Sequence, residues 1–242
     1  MVFRKCTIGG NAYRGDIGPS SHDENAKSEP MSIVEVPTEL ATSGESSADT
    51  VQDELKKKIP TPAAREKFTD LALQLDILNA TRSENTASDS STTIIKFFTV
   101  LSLCHSVIAA KDSVTGTVEY KAQSPDEAAL VRAAADMGFE FLGKDKDILS
   151  LKTPGSSDIE KYELLDILEF TSARKRMSVV LRKQDGSLLL LTKGADNIIF
   201  ERLRPGADEM KMETEKHLSE FANSGLRTLT LAYKTIAGSS NF

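Results

Sequence analysis

The sequence has no tryptophan, two cysteines and three histidines in 242 residues, and each scarcity closes off a class of chemistry. Cys6 and Cys104 lie far apart, in no metal-ligand spacing, and are too few to staple a disulfide-rich domain. His22, His105 and His217 are equally scattered, so a zinc site or a histidine-based triad lacks its raw material. The strongest apolar run, Ile94 to Ala110, contains Lys96 and His105 and falls short of a bilayer span. Its positions Ile95, Phe98, Leu101, Val107 and Ile108 repeat as in a core helix buried on most sides. The opening MVFRKCTIGG has basic residues but no apolar leader segment. Neither G-x-G-x-x-G nor G-x-x-x-x-G-K-[ST] occurs, so a bound nucleotide would sit in neither of those phosphate loops.

Charge is also lacking in one sign. Thirty Lys plus Arg against 36 Asp plus Glu leave a net −6, which argues against a generic nucleic-acid binder. The deficit is local. Residues 16–54 hold ten acidic residues, one basic residue, ten Ser or Thr and no aromatic residue, so they read as an acidic disordered insert. Residues 55–78 read as a helical segment with Phe68, Leu71, Leu75 and Leu78 on one face, and residues 79–93 as a polar spacer.

What is present is an ordered body over residues 94–236, with a short tail at 237–242. After the core helix, Thr117 to Ala122 reads as extended. Ser124-Pro125-Asp126-Glu127 then opens a helix, with Ser124 as the cap, Pro125 in the first turn and Glu127 placed to close a capping box. Gly138 ends it. Phe139 to Leu142 and Ile148 to Leu151 form a hairpin, followed by strands at Tyr162 to Phe170, Arg176 to Arg182 and Ser187 to Thr192, the last two joined at Asp185-Gly186. A short helix follows Lys193-Gly194-Ala195-Asp196. A longer one covers Asp208 to Asn223, with Met212, Leu218, Phe221 and Ala222 inward, and Leu226 to Lys234 is a final strand. Hairpin connections make this an α+β domain, a twisted antiparallel sheet flanked by helices.

Some segments carry polar residues beyond local structural need. Asp126 and Glu127 are explained by capping, yet a carboxylate there could accept from an exocyclic amine. Phe170, Arg174, Lys175, Arg176 and Met177 place an aromatic face and a thioether beside cations, which suits a flat base attached to phosphates. The competing reading is a core Phe and Met beside a solvated basic edge. Lys193 and Gly194 between strand and helix would attract an anion, and Arg227 reads either as a phosphate ligand or as a surface arginine at a sheet edge.

Together, YKAQSPDEAALVRAAADMGFEFLG (Tyr120 to Gly143), LEFTSARKRMSVVLR (Leu168 to Arg182), LLTKGADNIIFERL (Leu190 to Leu203) and HLSEFANSGLRTLTLAYK (His217 to Lys234) resemble the nucleotide-binding (N) domain of a P-type ATPase, specifically the type IV group, the phospholipid flippases. FFTVLSLCHSV (Phe97 to Val107) is similar to the family helix that precedes them, and Met1 to Gly15 to the sequence just downstream of the phosphorylation motif DKTGTLT. The resemblance implies that residues 1–15 start the N domain and that ATP is the ligand. It implies that Phe170 stacks on adenine, that Glu127 lies by the base, with Asp126 also among the ATP-binding residues, and that Met177 forms a wall. Lys175, Lys193 and Gly194 would line the nucleotide pocket, and Arg227 would reach toward the phosphates.

The family's acceptor aspartate, its TGD and GDGxND motifs, its DGET motif and its membrane helices do not occur here. The chain alone is therefore expected to bind ATP without transferring phosphate, with Mg²⁺ held in the full-length pump by residues elsewhere. The implied partners are the phosphorylation domain of the same pump and a flippase accessory subunit, without nucleic acid and without membrane insertion of this segment. The implied setting is the cytosolic side of an integral membrane protein. An autonomous nucleotide-binding or interaction module that kept the fold is the alternative.

Overall fold

Alternation of apolar and polar residues from Glu140 onward builds a meander. In the computed structural model, which describes residues 1–15, 67–82, 89–111 and 118–236, the elements run β1 (Cys6–Ile8), β2 (Asn11–Tyr13), α1 (Leu71–Arg82), α2 (Asp89–Leu103), β3 (Ile108–Lys111), β4 (Val118–Lys121), α3 (Pro125–Asp136), β5 (Glu140–Asp145), β6 (Ile148–Lys152), β7 (Ile159–Leu168), β8 (Arg176–Arg182), β9 (Leu188–Gly194), α4 (Asp196–Phe200), α5 (Asp208–Asn223) and β10 (Thr230–Ile236). Strands β10-β9-β8-β7-β6-β5 form one antiparallel sheet, and β1-β2 and β3-β4 are separate hairpins. The α+β class holds. The described residues belong to one unit, Met1–Asp16 with Lys67–Phe242. The expected acidic insert at 16–54, residues 55–66 and the tail at 237–242 lie outside the described residues.

The register explains which face is buried. Directly opposed residues share a face, and the pairs Val179↔Leu191 and Leu181↔Leu189 put four almost fully buried side chains on one side of β8 and β9. Phe98 of α2 stacks on Phe139 with centroids 4.9 Å apart, so α2 lies against that layer. Helix α3 closes with Phe139 N–H donating to Ala134 C=O at 2.9 Å and Gly138 at φ +90, the Schellman arrangement expected of that glycine.

Several expectations need correction. The inward face of α1 is Leu73 and Ile77, while Leu71, Leu75 and Leu78 are exposed. The cause is Asp70. Its carboxylate accepts from Leu73 N–H at 2.9 Å and Gly15 N–H at 3.0 Å, so the helix starts after it and Phe68, though buried, precedes the helix. Both α1 and α2 run into the expected polar spacer. The apolar run is not one helix, because α2 ends at Leu103 and Ile108 belongs to β3, 69% exposed. His105 turns the chain: its Nε2 lies 2.7 Å from Ser102 C=O, while its Nδ1 accepts from Val107 N–H at 3.0 Å. In α5 the buried residues are His217, Leu218 and Phe221, and Met212 and Ala222 face outward. Strand β7 stops at Leu168 and β10 starts at Thr230, so Phe170 and Arg227 sit in loops.

Candidate functional site

Strand register gathers the candidate residues. Gly194, the last residue of β9, is paired with Arg176 on one side and Thr230 on the other. The loop before β8, the residues after β9 and the loop before β10 therefore all leave one end of the sheet. Phe170, Lys175, Gly194 and Arg227 are at that end, and Met177 and Lys193 are opposed one residue inside it. The start of α3 supplies Asp126 and Glu127.

Glu127 and Lys193 meet directly. Lys193 Nζ donates to Glu127 Oε1 at 2.6 Å, with side-chain exposures of only 9% and 15%. Ser106 donates to the other oxygen, from its hydroxyl at 2.6 Å and its N–H at 3.3 Å. Ser124 Oγ accepts from Glu127 N–H at 3.5 Å, as a helix cap, but the Glu127 carboxylate turns to Lys193 and Ser106 instead of closing the capping box. Burial pushes the Glu127 carboxyl up, and the hydrogen bonds from Lys193 and Ser106 outweigh it, holding the group below its ordinary value.

Arg227 Nη1 pairs with Asp126 Oδ2 at 2.9 Å at the surface, its own side chain 78% exposed. Asp126 Oδ1 is buried and has no protein partner. Phe170 is 61% exposed on the loop before β8. Arg174 shapes that loop, donating from Nη1 to the carbonyls of Leu168 and Glu169 at 2.8 Å each. Lys175 adopts φ +51 and its carbonyl accepts from Ala195 N–H at 3.1 Å, tying the loop to the end of β9. Met177 is buried in the core cluster. Gly194 serves close packing against Lys175 and Arg176. The candidates thus form two ion pairs and a strand-end cluster, with the Phe170 ring open to solvent.

A Ser and a His within an apolar run carry no local signal, so neither Ser106 nor His105 is legible as a site residue from the sequence. Burial pushes His105 down to about 4, Ser102 opposes this through its backbone hydrogen bond, and the Lys193 ammonium adds to the depression. The unfolded imidazole takes up a proton as pH falls through 6.5, whereas the folded ring resists until about 4, so acidification favours the unfolded chain. Stability is expected to fall by about 2 kcal/mol between roughly pH 7 and 5 from this ring. Urea melts of His105→Asn should lose most of that slope, and an unchanged slope would refute the assignment.

A separate recess of about 410 Å³, lined by Lys161, Glu163, Arg182 and Lys183 among others, lies toward the opposite end of β8 and touches none of the candidates. Both places carry carboxylates and cations, and the strand-end surface adds the exposed Phe170 ring. Among the described residues no group of three or more His, Cys, Asp or Glu could hold a metal ion, and none is assigned to Mg²⁺. No helix among them is long and apolar enough to cross a membrane.

The profile of the P-type ATPase cytoplasmic domain N matches residues 93–241. The chain is 38% identical over 240 residues to a probable phospholipid-transporting ATPase 11 of Arabidopsis thaliana, covering 98% of this chain and 18% of that protein. Identity is 47% over 145 residues to phospholipid-transporting ATPase 10 of the same plant, covering 58% of this chain and 12% of the relative. It is also 47% over 149 residues to phospholipid-transporting ATPase dnf2 of Schizosaccharomyces pombe, covering 61% and 10%. The chain therefore spans less than a fifth of the length of these relatives. With its antiparallel sheet, and with relatives of the kind expected for a type IV N domain, the chain belongs to the family of P-type ATPase cytoplasmic N domains.

Proposed function

We propose that the chain binds ATP at the strand-end surface and presents it to an acceptor aspartate in the phosphorylation domain of a phospholipid-translocating P-type ATPase. In that pump, phosphorylation and dephosphorylation would drive a phospholipid from the outer to the cytosolic leaflet, with an accessory subunit as a further partner. The domain would lie on the cytosolic side of the membrane. The observation that carries this reading is the convergence of Phe170, the Glu127–Lys193 pair and Arg227 at one end of the sheet.

Each residue has a physical task. Phe170 offers its exposed ring to the base, and the loop that carries it is held by Arg174 and by the Lys175 to Ala195 hydrogen bond. Glu127 accepts from the exocyclic amine, and the neighbouring Asp126 pairs through Oδ2 with Arg227 until phosphate takes its place. Met177 gives the pocket an apolar wall. Lys193 holds Glu127 charged, while Lys175 and Arg227 meet phosphate charge and Gly194 keeps the backbone low at the strand end. For Arg227 this means exchanging Asp126 for phosphate, which its exposure permits. Mg²⁺ would offset charge on the phosphates in the complete pump. The terminal phosphate is left projecting, as in-line transfer to an external acceptor requires.

The test is Phe170→Ala. Stacking on one ring is worth roughly 1–3 kcal/mol, so the ATP dissociation constant, expected near ~1 mM, should rise by about 5-fold to 160-fold. NMR titration reads it, with circular dichroism confirming the fold. An unchanged titration would remove the base from that ring, and no ATP-dependent shifts at ~10 mM would end the nucleotide reading.

A further inference from the structure

Ser106 lies just beyond α2, exposed at the surface, between His105 and Val107. The ring of His105 fixes this stretch of backbone through Ser102 and Val107. From there Ser106 donates twice to one atom, Glu127 Oε2, through its hydroxyl at 2.6 Å and its N–H at 3.3 Å. Lys193 donates to Oε1 at 2.6 Å. A carboxylate has about four lone-pair positions. Ser106 fills the two on Oε2 and Lys193 one of those on Oε1, which leaves Glu127 a single open acceptor position and nothing to donate.

We propose that Ser106 is a positioning residue for base selectivity: by fixing Glu127 Oε2 it leaves one remaining acceptor on Oε1, which takes an amino N–H of adenine and repels the carbonyl oxygen at the same position of guanine. The inference rests on the reading that the base lies beside Glu127. It assigns the selectivity to a side chain that touches the carboxylate and need not touch the ligand. Without the hydroxyl the carboxylate keeps only the longer N–H contact and its Lys193 partner, and it can rotate about its terminal torsion, which is broad for a carboxylate. The discrimination then relaxes even though Glu127 and its charge remain.

The experiment titrates the chain with ATP and with GTP, by NMR, for the wild type and for Ser106→Ala, Ser106→Thr, Glu127→Gln and Phe170→Ala. In Ser106→Ala the ATP-to-GTP affinity ratio is expected to fall by about threefold to tenfold, the scale of one hydrogen bond. Ser106→Thr, which keeps the hydroxyl, should retain the ratio. A purely structural tie between α2 and α3 would weaken both nucleotides together and leave the ratio intact, and that result overturns the proposal. If Ser106→Ala does not fold, Ser106→Cys, a near-isosteric weak donor, gives the same comparison. If Phe170→Ala weakens both nucleotides while Glu127→Gln and Ser106→Ala leave the ratio unchanged, the nucleotide reading stands and this inference fails. Absence of binding by the wild type overturns both.

Discussion

Gly194→Ala is expected to destabilise the chain by about 3 kcal/mol and to weaken ATP binding with it, a larger stability loss than a surface substitution produces. A Cβ built on Gly194 would lie 2.5 Å from Arg176 Cβ, 2.6 Å from the Lys175 carbonyl oxygen and 2.9 Å from Arg176 Cα. Much of what it meets is backbone, so no side-chain rotation relieves the clash. Relief means moving Lys175 and Arg176, and these anchor the loop that carries Phe170 through the Ala195 to Lys175 hydrogen bond. Gly186→Ala is the control. It has φ +81 and nothing within 4 Å, so its cost is conformational alone, about 1–2 kcal/mol. Urea denaturation of both variants decides the matter: equal losses would mean that β8 gives way easily and that Gly194 is not set by packing.

Much of this sheet was legible because its signals are local. Arg176 to Arg182 was bounded correctly by a cationic turn on one side and a Lys-Gln-Asp-Gly turn on the other, and Asp208 to Asn223 by a closing Gly225. Errors arose where a distant side chain decides. Leu71, Leu73, Leu75, Ile77 and Leu78 offer more than one helical stripe, and the choice falls to Asp70, whose carboxylate caps α1 and also binds Gly15 N–H. The run through His105 has the periodicity of a helix, yet its imidazole takes hydrogen-bonding groups on both sides and ends that helix. Strand β10 begins later than its apolar pattern suggests, since pairing starts only where Thr230 meets Gly194.

The candidate site divides in the same way. Residue types mark Phe170, Lys193 and Arg227 as polar or aromatic beyond local need, whereas capping accounts for Glu127 and only the family resemblance sets it by the base. Their partners were not readable. Glu127 and Lys193 are 66 positions apart, and only the placement of α3 against the end of β9 makes them an ion pair. Gly194 looked like room for an anion, and its tightest neighbours prove to be Lys175 and Arg176. Ser106 is invisible from sequence because its role exists only through Glu127.

Lys193→Met tests that ion pair most directly and is expected to cost about 2–3 kcal/mol near neutral pH, the worth of a charge-assisted hydrogen bond whose loss strands a buried partner. Methionine keeps an unbranched stem against the core and removes only the ammonium. Glu127, its side chain 15% exposed, then has Ser106 alone to offset burial, so its carboxyl should move upward from its present depressed position. The sign follows. In the wild type the folded carboxyl lies below its ordinary value of 4.5, so its stabilising contribution is present above that pH and is lost as pH falls through the folded value. In the variant the buried carboxylate is a penalty that protonation removes. The stability gap between the two should therefore be widest near neutral pH and close as pH falls toward the carboxylate range. Adding Glu127→Gln to Lys193→Met removes the stranded charge and should recover most of the loss, which a double-mutant cycle in urea reads as coupling between the sites. A gap that is flat with pH, or a double variant no more stable than Lys193→Met, would show that the two side chains meet without supporting each other.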